Sequence, residues 1–354
     1  MNRLHVIIPA GGVGSRLWPL SRKDRPKFLL DLRMSGKSLL QETIDRLAPI
    51  AASFTIVTGR AHEQAVRAQI PQGLDVTVLV EPQGRDSMPA IGLAAYVIRQ
   101  RFGDEAPIAS FAADHAITHP QVLLECVERA LEVAQKGYVV TIGLRPLTPS
   151  TAYGYIAPGE TFEKESAEKG SIVRSFVEKP DEETAKQYCE QGYLWNAGMF
   201  IMTAGTLARA LTRFHPDMDS HLSAIGSQWG SESFAQTLSE EWPALTKIAI
   251  DHAIAEPLAS EGGVAVVPAT DMGWTDVGDF DALAQISSEG QALRIESPDS
   301  FVRSLTGQKI VLVGAPNMAV IATEDAILVV DRNRAQDVKH VVDQLTQSGE
   351  EELL

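Results

Sequence analysis

The sequence predicts an α/β protein: a mostly parallel sheet covered by helices on both faces, followed by a small C-terminal β unit. Three observations carry this. Short β-branched runs alternate with longer segments of helical period through the first half of the chain, the pattern of a sheet whose strands are joined by crossover helices. Towards the C-terminus the rhythm changes to short β-like pieces closed by one helix. With 354 residues, 44% of them hydrophobic, the chain has enough apolar material to bury a core without disulfides or metal.

In order, Leu4–Pro9 reads as a buried strand and Leu39–Leu47 as an amphipathic helix. Phe54–Thr58 is a strand, Glu63–Gln69 a helix and Val76–Val80 a strand. Pro89–Arg101 is a helix, Ile108–Phe111 a strand, Pro120–Gln135 a helix and Tyr138–Ile142 a strand. Beyond about residue 150 the alternation loosens. Gly154–Ala157 and Ile172–Val177 read as strands around a charged, solvated loop, Glu160–Gly170. Asp181–Gln191 is helical, Met199–Thr203 is a strand, and helices occupy Thr206–Leu238. Val264–Pro268 is a strand leading into MGWTDVGDFDAL. The tail offers β pieces at Lys309–Val313, Met318–Ala322 and Ala326–Val330, a helix at Ala335–Leu345 and an acidic, frayed end. Ligands of such a sheet bind beyond the carboxyl ends of its strands, so the polar residues after Pro9, Val80, Phe111 and Ile142 are the ones to weigh.

Charge and cysteine content narrow the function classes. Lys and Arg number 31 against 46 Asp and Glu, a net charge of −15, which argues against a nucleic-acid surface. The two cysteines, Cys126 and Cys189, form neither a CxxC pair nor a disulfide framework. The opening MNRLHVIIPAGG has no basic stretch followed by a long apolar core, and no run approaches a membrane span. A cytoplasmic location without membrane association is expected.

The strongest chemical signal is Ala10–Arg25, AGGVGSRLWPLSRKDR, directly after the first strand. Gly11, Gly12 and Gly14 permit positive φ and close backbone approach to an anion. A dinucleotide fingerprint fails because Leu17 stands where its last glycine is required, and a phosphate-binding GxxxxGK[ST] loop ending at Ser38 fails at Asp31. An isolated glycine-rich turn is often a plain connection, but here Arg16 lies inside the loop and Lys27 shortly after it. Free amides with two cations form a cradle for a triphosphate. HAITH (115–119) does not read as a zinc site, because Pro120 starts the next helix and the motif lacks the glutamate of a zinc protease.

GGVGSRLWPLSR followed by PKFL resembles the signature of the sugar-nucleotide pyrophosphorylases, specifically the mannose-1-phosphate guanylyltransferases. The resemblance continues through EPQGRDSMPAI (81–91), AADH (112–115), YGYI (153–156), FVEKP (176–180), NAGMF (196–200) and GWTDVGDF (273–280). Two places depart from the family's common pattern: no glutamine separates Lys27 from Phe28, and Ser87-Met88 replaces Thr-Ala.

The resemblance implies a Rossmann-like, mostly parallel nucleotidyltransferase domain of glycosyltransferase-A type over residues 1–285, and a β-helix-like unit plus helix over 286–354. It implies that GTP and mannose 1-phosphate give GDP-mannose, for glycan synthesis, and diphosphate, by Mg²⁺-assisted in-line attack on the α-phosphorus. Arg16 and Lys27 would hold the β- and γ-phosphates over Ala10, Gly11, Gly12, Gly14 and Ser15. Glu81, Gly84, Arg85, Asp86 and Ser87 would form the guanine site, with Asp86, Glu81 and backbone all open as the reader of the base. Lys179 would take the sugar phosphate, and Glu178, Asn196 and Gly154 would receive the sugar. Asp114 and Asp276 would bind Mg²⁺, although spacing alone does not choose between Asp276 and Asp279. Trp18, Trp195 and Trp274 read as packing residues. The tail implies a possible homodimer, and its length of about 70 residues is short for a further isomerase domain. The alternatives are another hexose 1-phosphate with UTP or dTTP, and a non-catalytic relative; the latter should have lost Lys27, Asp114 or Asp276, and all three are present.

Overall fold

The computed structural model describes residues 4–162, 169–287 and 292–354. Its centre is a nine-stranded sheet. The strands are β1 (Leu4–Ala10), β2 (Ala51–Gly59), β3 (Val76–Glu81), β4 (Pro107–Ser110), β6 (Val139–Leu144), β7 (Tyr155–Thr161), β8 (Ser171–Val177), β9 (Leu194–Thr203) and β10 (Val264–Ala269). Their order is β3-β2-β1-β4-β9-β6-β10-β8-β7. β8 and β9 run against the others, so the sheet is mixed and mostly parallel, as expected.

The near-continuous apolar strands follow from burial on both faces. Along β1, Ile7 packs into one core while Leu4, Val6 and Ile8 pack into the other. Along β10, Val264 and Val266 face the first core, and Ala265 and Val267 the second. Helices α1 (Leu39–Leu47), α2 (Glu63–Ala68), α3 (Ser87–Phe102), α4 (Pro120–Ala134) and α5 (Glu182–Glu190) accompany these strands. They are followed by α6 (Ala204–Phe214), α7 (Pro216–Ser227), α8 (Phe234–Glu241) and α9 (Glu256–Ala259). α1 starts where the sequence places it because Ser38 and Gln41 form a reciprocal capping box.

A small pairing escapes the sequence reading. β5 (Ala116–Ile117) and β11 (Trp274–Thr275) form a two-residue antiparallel ladder, Thr275 opposite Ala116 and Trp274 opposite Ile117. It continues through Thr118 N–H to the Gly273 carbonyl (3.2 Å) and His119 N–H to the Met272 carbonyl (3.0 Å). Asp114 precedes one strand of this ladder and Asp276 follows the other.

The C-terminal part begins after α10 (Phe280–Ile286). β12 (Ala292–Ile295) pairs in parallel with β14 (Ile310–Val313), and β13 (Phe301–Ser304) with β15 (Met318–Ala322), which also pairs antiparallel with β16 (Ile327–Asp331). α11 (Val338–Ser348) follows, three residues later at each end than expected, because a 3₁₀ turn occupies Arg332–Asp337 first. β12 and β13 are two strands the sequence reading did not mark. Most of the expected charged loop, residues 163–168, lies outside the described residues.

This C-terminal part shares a core with the glycine-rich segment. Leu17, Trp18 and Leu20 pack with Phe280, Phe301, Ile321, Leu328 and Val338. The Trp18 indole N–H donates to the Leu353 carbonyl at 2.7 Å, and the buried Arg303 guanidinium donates to the Leu32 carbonyl at 2.7 Å. The back of the loop is therefore held by residues from the other end of the chain. No helix among the described residues is long and apolar enough to cross a membrane.

Candidate active site

The glycine-rich loop leaves β1 at Ala10, whose carbonyl accepts the Thr58 hydroxyl at 2.8 Å. Gly14 sits in the left-handed region at φ 76°. A Cβ there would lie 2.6 Å from the Cβ of Lys27, so glycine lets the lysine stem pass against the loop. The Lys27 N–H donates to the Val13 carbonyl at 3.0 Å and fixes that approach. The Lys27 side chain is only 6% exposed, and its ammonium donates to Asp114 Oδ2 at 2.7 Å and to the Asp276 carbonyl. Three segments far apart in sequence thus meet on one cation.

Burial pushes the Asp114 carboxyl up, but the Lys27 ammonium and neighbouring hydrogen bonds outweigh it and hold it below the usual carboxylate range. Asp276 Oδ1 accepts the Tyr153 hydroxyl at 3.0 Å. Its Oδ2 would lie 3.0 Å from a Cβ on Gly278, and the Arg16 guanidinium 3.5 Å from the same point. Arg16 is exposed, with no hydrogen-bond or ion-pair partner among the described residues. Asp279, the alternative on spacing, is committed elsewhere: it caps α10, accepting N–H groups of Asp281 and Ala282 at 2.9 Å each, and also accepts Gln336.

Among the described residues no group of three or more His, Cys, Asp or Glu side chains could hold a metal by themselves. Asp114 and Asp276 are a pair, and Mg²⁺ is commonly held by one or two carboxylates with substrate phosphates completing its shell. The donor set fits that chemistry. His115 and His119 do not share a helical face, since α4 starts at Pro120. Burial holds the His115 imidazole below its usual range, and its neutral Nδ1 accepts the Trp274 indole N–H at 3.2 Å.

A cleft of about 180 Å³ adjoins this centre, lined by His115, Tyr153, Gly154, Glu178, Asn196 and Asp276 among others. A Cβ on Gly154 would collide with the Glu178 carboxylate, so glycine keeps the wall open. Lys179 lies two residues beyond β8, with 62% of its side chain exposed, and pairs with Glu178 at 2.7 Å, outside the cleft lining. Trp274 and Tyr153 form part of the wall, their rings 5.2 Å apart. Burial, then the Asp276 charge, raises the Tyr153 phenol above its ordinary range, so it stays a donor. The sequence reading singled out neither His115 nor Tyr153 for this wall and read Trp274 as packing. Their sequence signal was adjacency to Asp114, Gly154 and Asp276.

Glu81 ends β3 at 7% exposure, and its Oε2 has no hydrogen-bond partner. Oε1 lies 3.6 Å from the place of a Cβ on Gly11 and 3.8 Å from that on Gly84. Its carboxylate therefore sits between the glycine-rich loop and the EPQGRDS turn. Burial raises its pKa to about 7. The neighbouring residues have local partners. Arg85 donates to the carbonyls of Leu245 and, at 2.7 Å, Pro243. Asp86, at φ 68°, accepts the Ser87 N–H at 2.8 Å, and the Ser87 hydroxyl accepts the Ile250 N–H at 3.0 Å.

This arrangement of a glycine loop, a bridging lysine, two carboxylates and a small polar cleft has counterparts in known proteins. The family model described as Nucleotidyl transferase matches residues 5–292, and a MannoseP isomerase/GMP-like beta-helix domain matches residues 290–345. The mannose-1-phosphate guanylyltransferase of Escherichia coli (strain K12) is 35% identical over 99% of this chain and 75% of its own length. That of Salmonella muenchen is 36% identical over 99% and 75%. A solved structure from Thermus thermophilus, described as a mannose-1-phosphate geranyltransferase, superposes with a TM-score of 0.82 at 31% identity, covering 98% of this chain and 100% of that one. The expected fold is thus found in its expected relatives, and the chain belongs to the nucleotidyl transferase family, among the mannose-1-phosphate guanylyltransferases of the sugar-nucleotide pyrophosphorylases.

Proposed function

We propose that this chain joins GTP and α-D-mannose 1-phosphate into GDP-mannose and diphosphate. The observation that carries the reading is the convergence of the glycine loop, Asp114 and Asp276 on Lys27, in a chain aligned almost end to end with guanylyltransferases. A sugar-phosphate oxygen forms the new bond to the α-phosphorus, the bond to the bridging oxygen of the β-phosphate breaks, and diphosphate leaves. No covalent enzyme intermediate is needed, so catalysis is positioning and charge neutralisation. Lys27 and Arg16 hold the leaving phosphates against the loop amides of Gly11, Gly12, Gly14 and Ser15. Asp114 and Asp276 would hold Mg²⁺, which supplies Lewis-acid neutralisation of phosphate charge.

Glu81 is the reader of guanine in this proposal. Its unpartnered, buried carboxylate matches the adjacent N1–H and N2 amine donors, whereas ATP would leave it unpaired. An unsatisfied buried group costs about 1–3 kcal/mol, so kcat/KM for GTP should exceed that for ATP by roughly 10- to 100-fold. Guanine favours the ionised carboxylate. The carboxyl titrates at about 7 in the free protein, so kcat/KM for GTP should rise as pH increases through that value, and Glu81→Gln should flatten the rise. The test of the whole reading is diphosphate release with GTP, ATP, UTP and dTTP against mannose and glucose 1-phosphates; equal values for GTP and dTTP would refute the guanine assignment.

In the same proposal Glu178, Gly154 and Asn196 surround the sugar, and Lys179 takes its phosphate by exchanging its exposed pairing with Glu178 for the ligand. Lys179→Ala should then raise KM for mannose 1-phosphate, and Arg16→Ala that for GTP, each by about tenfold or more. If both variants moved only the GTP KM, Lys179 would have the wrong substrate.

We also propose that a catalytic unit ends near residue 285 and that the remainder forms a homodimer. Leu293, Ile295, Val311 and Val313 support this, since they face outward together at 48–64% exposure on paired strands β12 and β14. Sedimentation should show a dimer that Ile295→Lys dissociates; an unchanged dimer would place the contact elsewhere.

A further inference from the structure

Most of the hydrogen-bonding capacity of the Asn196 amide is spent inside the fold, with one Nδ2 hydrogen left over. Its Oδ1 accepts both the Thr141 hydroxyl (3.0 Å) and the Gly198 N–H (3.1 Å), which uses its two lone pairs. Its Nδ2 donates to Asp251 Oδ1 at 2.6 Å. The side chain is buried, so this network acts as a bracket, and the group it holds is a carboxylate lining the same cleft as Glu178 and Gly154.

Asp251 is also placed from the other side. It opens a π-helical turn, Asp251–Ala255, an element frequent at functional sites. The residues before it are tied to the EPQGRDS turn: Ser87 accepts the Ile250 N–H at 3.0 Å, and Met88 N–H donates to the Ile248 carbonyl at 3.1 Å. Burial, then the charge of nearby Glu178, raises its carboxyl to about 6. A backbone hydrogen bond, the Asn196 amide and His252 favour its charged form without offsetting the burial and Glu178. Among the side chains of the described residues only the Asn196 amide donates to Asp251, on Oδ1, so its carboxylate can accept further donors such as the hydroxyls of a ligand.

We propose that Asp251, aimed by Asn196, determines sugar specificity by accepting hydrogen bonds from hydroxyls of the hexose 1-phosphate across the cleft from Glu178. This rests on the cleft being the sugar site. Asn196 is then a positioning residue, and Asp251 the group that touches substrate.

The test is steady-state kinetics of the full chain with GTP and mannose 1-phosphate, glucose 1-phosphate or a set of monodeoxy-mannose 1-phosphates. Asp251→Asn should raise KM for mannose 1-phosphate roughly 10- to 100-fold, leave KM for GTP within about twofold and narrow the mannose-over-glucose preference. At least one monodeoxy substrate should be poor for the native protein yet lose nothing further in the variant, the coupling expected of a direct contact. Additive losses for every deoxy sugar, or an unchanged mannose 1-phosphate KM, would overturn the proposal. Gly154→Ala separates the underlying reading, because its Cβ collides with Glu178. If it raises the sugar KM while Asp251→Asn does not, Asp251 alone is wrong; if neither does, the cleft is not the sugar site. Were Asp251→Asn to fail to fold, the deoxy set would be repeated on Asp251→Ser and Asn196→Ala; losses additive in both would overturn the assignment equally.

Discussion

Asp276→Asn should lower turnover by about 100- to 1,000-fold at saturating Mg²⁺ while leaving thermal stability near that of the native protein. The substitution keeps the shape and an oxygen able to accept Tyr153, and removes only the negative charge facing Arg16 across Gly278. Asp279→Ala should behave in the opposite way. It deletes the cap of α10, whose two N–H groups then lose their acceptor, at a cost of about 1 kcal/mol. Its midpoint should fall by only about 1–2 °C, with turnover within about twofold. Near-native turnover in Asp276→Asn, or collapse in Asp279→Ala, would reverse the assignment of the two aspartates.

Lys27→Met should be about as damaging, with turnover reduced roughly 1,000-fold. Its backbone N–H holds the loop at Val13, and its ammonium reaches both Asp114 and the Asp276 carbonyl. Without it, burial still acts on Asp114 while its main attraction is gone, so that carboxyl should titrate higher than in the native protein. Lys27→Arg should not rescue activity. The lysine stem passes within close contact of Gly14, and a planar guanidinium needs a different approach to two acceptors than a point charge does. More than a tenth of native turnover in either variant would show that Lys27 is only a structural counter-ion.

Both expectations depend on the C-terminal part, because the segment carrying Arg16 is packed from behind. Leu17 and Trp18 sit in a core with Phe301, Ile321 and Val338, and polar links such as Arg22 to Asp325 at 2.8 Å join the same surfaces. A loop that binds phosphates through its amides has to keep those amides aimed, and packing its other side supplies the rigidity.

The alternation of strands and helices, the family and the residue types of the candidate site were legible in the chain. Strand and helix periods are local properties, and α1 and α4 begin at a capping serine and a proline that any reader of the chain can find. The glycine loop, Arg16 and Lys27 were legible as a candidate anion cradle because they stand close together in the chain, and the ordered motifs identified the relatives. Contacts between distant segments are what distinguish chemically equal candidates. The two-residue ladder of β5 and β11 brings the Asp276 segment towards Asp114, a pairing too short to leave a periodic trace, while Asp279 caps α10; the proposal of Asp276 over Asp279 rests on this. Glu81 is buried with an unpartnered Oε2, whereas Asp86 accepts the Ser87 N–H at the start of α3, and the proposed guanine contact rests on that difference. Asp251 had no signal at all in the chain: an aspartate in an apolar helical stretch acquires meaning only when folding brings Asn196 and Glu178 to it. Local pattern encodes which backbone forms, but the partner of a side chain is decided by contacts between distant segments, and the site's chemistry lies in those contacts.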